Sequence, residues 1–552
     1  MWLGIVAIFA VVTSTVGEST ESRLVRIDSG PVRGYKDVSE DIFVYYGIPY
    51  AKAPSGSDKF KAPLPSPIWF ETFEAVNKDI VCPQIIIPLF NTSSKTMQED
   101  CLVANVYVPD TDKKNLPVVV YVHGGGFILG NGNIVLPKKM VSSKKIVAVT
   151  FNYRLGAHGF LCLGTEDAPG NAGMKDQVAL LRWVKKNIAS FGGNPDDVTI
   201  VGGSAGSTSV DLLMISKMAK GLFTKVIPES GANLSPYSVQ IDPLQNAKEY
   251  AKLLQYDGDD DFYKLQHFYK NAPYELLQSG NVIYRTDSVF LMEPCVEADI
   301  GQERFLEDDP VNILKKGDFA KLPMLYGFAN MEGLMRLDIF ETWKNDMNNK
   351  FSDFLPPDLQ FESVKQKEAV SEKIKRFYFG NKDVSNDTIL DYVNYFSDVM
   401  FACPTLRSTK LQLQAGNNQI YLYEYSYVDD STPVVPHTNI RGASHCAQTT
   451  ALLDGVFLTS IDEEDIPDDL KLMKRIMREL WLSFITTGKP ESSEVPAWPP
   501  VGMDWSPHMA LKKNPELRGS LLKDRCMFWE DIFDKYYRPP EPPRPHQMRN
   551  EL

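Results

Sequence analysis

This chain is short of positive charge, of histidine and of long apolar runs, and each shortage narrows what it can be. Its 58 lysines and arginines face 71 aspartates and glutamates, a net charge of −13. Nucleic acid and anionic membrane surfaces are therefore unfavourable partners. Beyond the first residues no apolar stretch reaches the roughly 20 positions that a membrane-spanning helix needs. Seven histidines leave a short list from which a general base could be drawn. Repeats, low-complexity tracts and linker-like breaks are missing too, apart from Arg538-Pro539-Pro540-Glu541-Pro542-Pro543-Arg544-Pro545 near the end. Prolines there favour an extended, unpaired backbone, so residues 538–552 are expected to form a mobile tail. What remains is 552 residues with 43% hydrophobic content, enough for one large core spanning residues 18–537.

Among what is present, Gly202-Gly203-Ser204-Ala205-Gly206 is the most informative. Two glycines and a serine at this spacing recur by chance in roughly one chain in five of this size, so the setting decides. The motif follows the apolar run Val198-Thr199-Ile200-Val201 and precedes a helix-like stretch at 207–218. A Gly-x-Ser-x-Gly at a strand-to-helix turn is a nucleophile elbow, which holds its serine strained and exposed. A second block, Leu116-Pro117-Val118-Val119-Val120-Tyr121-Val122, reads as a buried strand and runs into His123-Gly124-Gly125-Gly126-Phe127. Such a glycine loop lets backbone N–H groups approach the negative charge that forms when a serine attacks an ester carbonyl. We assign those donors to Gly125, Gly126 and Ala205, each worth about 3 kcal/mol of transition-state stabilisation.

A serine hydroxyl needs a base, and imidazole has the pKa for the task. His445, in Gly442-Ala443-Ser444-His445, follows a strand-like segment at 419–428 and precedes an apolar run at 450–457. His437 in the preceding loop is the near competitor. His123 belongs to the glycine loop, His158 to a Gly-rich turn, and His267, His508 and His546 read as surface or packing residues. An acid must orient the imidazole. Glu332 fits, because it follows the strand-like Leu322-Pro323-Met324-Leu325-Tyr326-Gly327-Phe328 and stands in Asn330-Met331-Glu332-Gly333, where the glycine suggests a tight turn. The order Ser204, Glu332, His445 is that of α/β-hydrolase triads. This chemistry calls for no metal and no cofactor.

These residues, with Gly47-Ile48-Pro49-Tyr50-Ala51, Glu99-Asp100-Cys101-Leu102, Phe151-Asn152-Tyr153-Arg154-Leu155-Gly156, Asn171-Ala172-Gly173-Met174-Lys175-Asp176-Gln177 and Phe191-Gly192-Gly193-Asn194-Pro195, resemble the type-B carboxylesterase and cholinesterase group of α/β-hydrolases, most of all secreted insect-type carboxylesterases. The resemblance spans nearly the whole chain. It implies an α/β fold with a central, mostly parallel twisted sheet, helices on both faces, and a gorge leading to a Ser-Glu-His triad. It also implies structural roles for Arg154 and Asp176, and a disulfide between Cys82 and Cys101. Five cysteines then remain, an odd number, so at least one thiol stays free or pairs between chains.

Residues 1–17 read as a signal peptide, an apolar stretch followed by small residues up to Gly17, although its start lacks a basic side chain. Secretion is the expectation, with the ER lumen as the alternative because Arg549-Asn550-Glu551-Leu552 loosely matches a retrieval signal. Asn91 and Asn386 open N-x-Ser/Thr sequons and are expected glycosylation sites; Asn233 opens a third, made poorer by Pro236.

Where the chain departs from the pattern of the group it resembles, the departures lie near the chemistry. The residue before the nucleophile, commonly acidic or Gln there, is Gly203; two frequently acidic positions after the histidine are Ala447 and Gln448. Glu229, in Pro228-Glu229-Ser230-Gly231, could supply a nearby carboxylate that tunes the base. Cholinesterases carry a tryptophan between the first two cysteines that binds the choline cation. Residues 83–100 contain none. Ile85, Ile86, Ile87, Leu89 and Phe90 instead suggest an apolar wall suited to aliphatic or terpenoid esters. Juvenile-hormone esterases of the group usually carry Gln before the serine, so Gly203 points away from that specialisation. The reading is thus a serine carboxylesterase acting on small-molecule esters through an acyl-enzyme. A non-catalytic adhesion protein and a slow, near-stoichiometric ester scavenger are the alternatives; the first would be expected to have lost triad residues.

Overall fold

The computed structural model describes residues 21–86, 95–258, 261–280, 282–455 and 466–544. Residues 1–17, read above as a signal peptide, Asn91 with Ile87, Leu89 and Phe90, His546, and the final four residues lie outside the described residues.

Twelve strands carry the main sheet. They are β1 (Ser22–Ile27), β2 (Gly30–Lys36), β3 (Ile42–Pro49), β4 (Val103–Pro109), β5 (Leu116–Val122), β6 (Val147–Phe151), β7 (Gly193–Gly203), β8 (Lys225–Glu229), β9 (Met324–Ala329), β10 (Ile420–Tyr425), β11 (His508–Leu511) and β12 (Glu516–Arg518). Their spatial order is β1-β2-β3-β4-β6-β5-β7-β8-β9-β10-β11-β12, with the short Phe73–Glu74 strand beside β2. From β6 to β11 every neighbouring pair is parallel. The strands from β1 to β4, and β12, are added antiparallel at the two edges.

Parallel strands buried on both faces are apolar without alternation, and β5 obeys that rule: every residue but Pro117 is buried. Its side chains divide between two cores. Val118, Val120 and Val122 point to one side with α1 (Ala172–Asn187) and α2 (Ala205–Ile215). Val119 and Tyr121 point to the other, where Met473, Ile476, Leu480 and Trp481 of the helix Asp468–Thr487 lie. Each such buried aliphatic side chain contributes roughly 1.5–3 kcal/mol, so helices on both faces are the condition for this sheet to exist.

Arg154 and Asp176 tie the chain leaving β6 to α1. Arg154 Nε and Nη2 donate to the two Asp176 oxygens at 2.8 and 2.6 Å, and Nη1 donates to the carbonyls of Lys59 and Lys61. Both side chains are buried, so the fork-to-fork pair holds structure together.

Three disulfides join Cys82 to Cys101, Cys162 to Cys295, and Cys403 to Cys526. Cys446 is the free cysteine among the described residues. Within residues 538–544 the Arg538 N–H donates to the Asp358 carbonyl, Glu541 N–H to that of Ile241, and Pro540 and Pro543 are buried. Proline rings make that contact without leaving buried N–H groups unpaired. Asn233 is buried, whereas Asn386 is half-buried at the start of a short helical turn.

Candidate active site

Five adjacent strands deliver the site at their carboxyl ends, where open α/β sheets place their ligands. β5 runs into the glycine loop, β7 leads into Ser204, β8 ends at Glu229 and leads into Ser230, β9 leads to Glu332, and the connection after β10 carries His445.

Ser204 has φ +58° and ψ −125°, a conformation that costs an L-residue roughly 1–3 kcal/mol. Its neighbours enforce it: the Ser204 N–H donates to the Glu229 carbonyl at 2.9 Å and its carbonyl accepts from Thr208 at 3.0 Å. The flanking glycines are sterically required. A β-carbon on Gly206 would lie 2.1 Å from the Val122 oxygen, and one on Gly202 would lie 2.2 Å from the Gly206 oxygen.

The glycine loop rests on this elbow, for a β-carbon on Gly124 would sit 3.0 Å from the Ser204 β-carbon. Neither the Gly125 nor the Gly126 N–H finds an acceptor among the described residues. The Ala205 N–H opens α2 and has no acceptor within the helix. The glycine loop and the serine elbow are thus in contact. His123 supports them: its ring stacks on Tyr153 at 4.4 Å, Nδ1 meets the Gly124 oxygen at 2.8 Å, and burial lowers its pKa to about 4. It is a neutral packing group. Gln84, beside the Cys82 bridge, clasps the same loop by accepting from Gly130 N–H at 2.9 Å and donating to Gly130 oxygen at 3.0 Å.

His445 Nδ1 lies 2.5 Å from Glu332 Oε2. Glu332 is fully buried and opens a helical turn, Glu332–Ile339, in place of the expected tight turn. Its other oxygen accepts from Ser230 Oγ at 2.5 Å and from the Ala329 N–H at 2.7 Å. Ser230 in turn accepts from Gln448 Nε2 at 2.6 Å. The Phe401 ring lies against the imidazole at 4.5 Å. Nε2 faces Cys446 Sγ at 3.6 Å. Burial alone would keep the imidazole neutral, but the Cys446 sulfur and the Glu332 carboxylate outweigh it and raise the pKa of His445.

Glu229 is fully buried, accepting from Thr449 Oγ1 at 2.6 Å and from Trp481 Nε1 at 2.7 Å. Burial raises its pKa to about 7, against those two bonds. Three residues that sequence reasoning did not select complete the surroundings: Phe290, Tyr237 and Phe401. Phe290 carbons lie within 3.3 Å of where a Gly126 β-carbon would be, and Tyr237 touches both Phe290 and Phe401 at 5.8 Å between ring centres.

The competing histidines are elsewhere. His437 and His267 are exposed, His158 is buried beside Glu99, and His508 bonds the Gly519 carbonyl. Ile85 and Ile86 line a cleft of about 350 Å³ with Gln84, Glu275, Gln278 and Ile283. Among the described residues no group of three or more His, Cys, Asp or Glu side chains is gathered as metal ligands, and no helix is long and apolar enough to cross a membrane.

A strained serine elbow on a parallel sheet, backed by a histidine and an acid from later strands, defines the α/β-hydrolase class. Comparison with known proteins narrows it. The chain belongs to the Carboxylesterase family, whose profile matches residues 21–529, and is accordingly a carboxylic ester hydrolase. It is similar to Esterase FE4 of Myzus persicae, with 32% identity over 86% of each chain. Juvenile hormone esterase of Heliothis virescens shares 31% identity, over 88% of this chain and 90% of that one. Among solved structures, juvenile hormone esterase from Manduca sexta with OTFP covalently attached superposes with a TM-score of 0.82 at 28% identity, covering 93% of this chain and 99% of that one.

Proposed function

We propose that this protein hydrolyses esters of apolar acids or alcohols through an acyl-enzyme on Ser204. His445 takes the serine proton and returns it to the leaving alcohol; Glu332 holds Nδ1–H and stabilises the imidazolium. Gly125, Gly126 and Ala205 N–H groups receive the carbonyl oxygen as it becomes an oxyanion. Water, activated by the same imidazole, then releases the acid. The observation that carries this reading is the 2.5 Å contact between His445 Nδ1 and Glu332 Oε2, made by the connections that follow β10 and β9. Phe290 beside the glycine loop and Phe401 beside the base support an apolar acyl or alcohol group as the preferred one. Three disulfides fit an oxidising compartment, in line with secretion.

The test is a fluorophosphonate probe followed by mass mapping, together with p-nitrophenyl esters of increasing acyl length. Label on Ser204 and a rate that rises from acetate to hexanoate are expected. Label elsewhere, or a preference for acetate, contradicts the proposal. A stoichiometric burst followed by a negligible steady rate would identify a scavenger.

A further inference from the structure

Cys446 occupies the side of His445 that the mechanism needs. The other six cysteines are paired in disulfides, while the Cys446 sulfur stands 3.6 Å from Nε2. Its backbone is in the left-handed region, φ +60°, at the entry to the helix Ala447–Leu452, so the side chain is aimed by the main chain. Gly203 supplies the room. A β-carbon there would lie 3.5 Å from the sulfur, 3.2 Å from the Tyr121 hydroxyl and 3.3 Å from Thr449 Oγ1. Any longer side chain before the nucleophile would contest the space the thiol borders.

We infer that Cys446 is a positioning residue that shares the base with Ser204: in the resting enzyme its thiol holds Nε2 of His445, and hydrolysis requires that contact to be given up. The inference rests on the reading of His445 as the base. An S–H donated to Nε2 occupies the lone pair that must accept the serine proton. If the thiol proton instead passes to Nε2, the imidazole is already protonated and a thiolate faces it. Either way the base is withdrawn from Ser204 until the imidazole turns to the bound substrate. The ionisable groups around this pair are Glu332 from the turn after β9, Glu229 from β8, Tyr121 from β5, Tyr237 from the connection after β8, and Tyr423 from β10. The Glu332 carboxylate stays in place when the thiol is removed, so the effect of Cys446 is separable.

Kinetics of C446A and C446S against the wild-type full chain, read as kcat and KM across pH with a p-nitrophenyl ester, test this. Replacing Cys446 by Ala is expected to raise kcat about two- to tenfold, the size of one hydrogen bond, with KM unchanged, and to move the acid limb of the profile to lower pH. Serine, a hydroxyl that bonds Nε2 without carrying charge, is expected to restore the wild-type kcat while its limb stays with that of the alanine variant. An alanine variant with unchanged or reduced kcat and an unmoved limb, in protein with wild-type melting temperature, overturns the inference. A second measurement needs no ester, so its failure is distinct from failure of the esterase reading. Iodoacetamide alkylation of Cys446, followed by mass at fixed pH, should slow about tenfold in H445Q, because the imidazole no longer takes the thiol proton; equal rates refute the contact.

Discussion

Glu332→Gln isolates what the acid contributes, and the structure dictates how the amide would sit. Glu332 Oε1 is held by two donors, Ser230 Oγ at 2.5 Å and the Ala329 N–H at 2.7 Å. A glutamine therefore keeps its oxygen there and turns its NH2 group to His445 Nδ1, where Oε2 now lies at 2.5 Å. Two N–H groups cannot face each other, so the imidazole must present a bare Nδ1 and carry its proton on Nε2. In that tautomer it cannot accept a proton from Ser204. An acid-to-amide change that imposes the wrong tautomer in a serine protease triad costs about 10⁴ in kcat, about 5.5 kcal/mol of transition-state stabilisation. We expect the same order here, measured as kcat for p-nitrophenyl butyrate at pH 8, with KM little changed. Losing one charge-assisted hydrogen bond, roughly 1.5–3 kcal/mol, leaves the protein folded, and a thermal melt verifies it. A fall of less than tenfold in folded protein would refute Glu332 as the orienting acid.

Two further predictions concern the surroundings of the triad. Glu229 holds its proton more tightly folded, at about 7, than at its ordinary 4.5. The folded state thus binds more protons than the unfolded one between those values, and stability falls as pH rises through that window, by up to about 3 kcal/mol. Glu229→Gln should flatten that part of the melting temperature against pH and lower the apparent pKa of the base in kcat/KM; an unchanged pair of profiles would dismiss both roles. Phe290→Ala opens space beside Gly126 and should cut kcat/KM for hexanoate by about tenfold, the value of one buried aromatic contact surface, while acetate changes little. Equal losses for both esters would show that Phe290 supports the loop and does not contact the acyl chain.

The elbow was legible because its parts are local. Apolar β7, two glycines and a helix starting at Ala205 follow one another in the chain, and the glycine loop follows β5 in the same way. The pairing of Glu332 with His445 was legible from order along the chain, since parallel crossovers bring the ends of β9 and β10 side by side, with one strand, β8, between them and β7. Trp481, Tyr237, Phe290 and Phe401 were not. Each reaches the site from a distant segment, as Trp481 does across 252 positions to Glu229, and nothing in its neighbours marks the contact. The same holds for the bridges Cys162–Cys295 and Cys403–Cys526, which span 133 and 123 positions. The contacts made by 538–544 were not legible either, because proline-rich sequence excludes regular pairing but not ring-to-surface packing.

The most direct measurement is hydrolysis of p-nitrophenyl butyrate by purified wild-type protein beside Ser204→Ala. Loss of several orders of magnitude in kcat/KM with an unaltered melt is the predicted result, as for other enzymes stripped of the nucleophile of a triad. A Ser204→Ala variant that hydrolyses the ester as fast as the wild type would contradict the account.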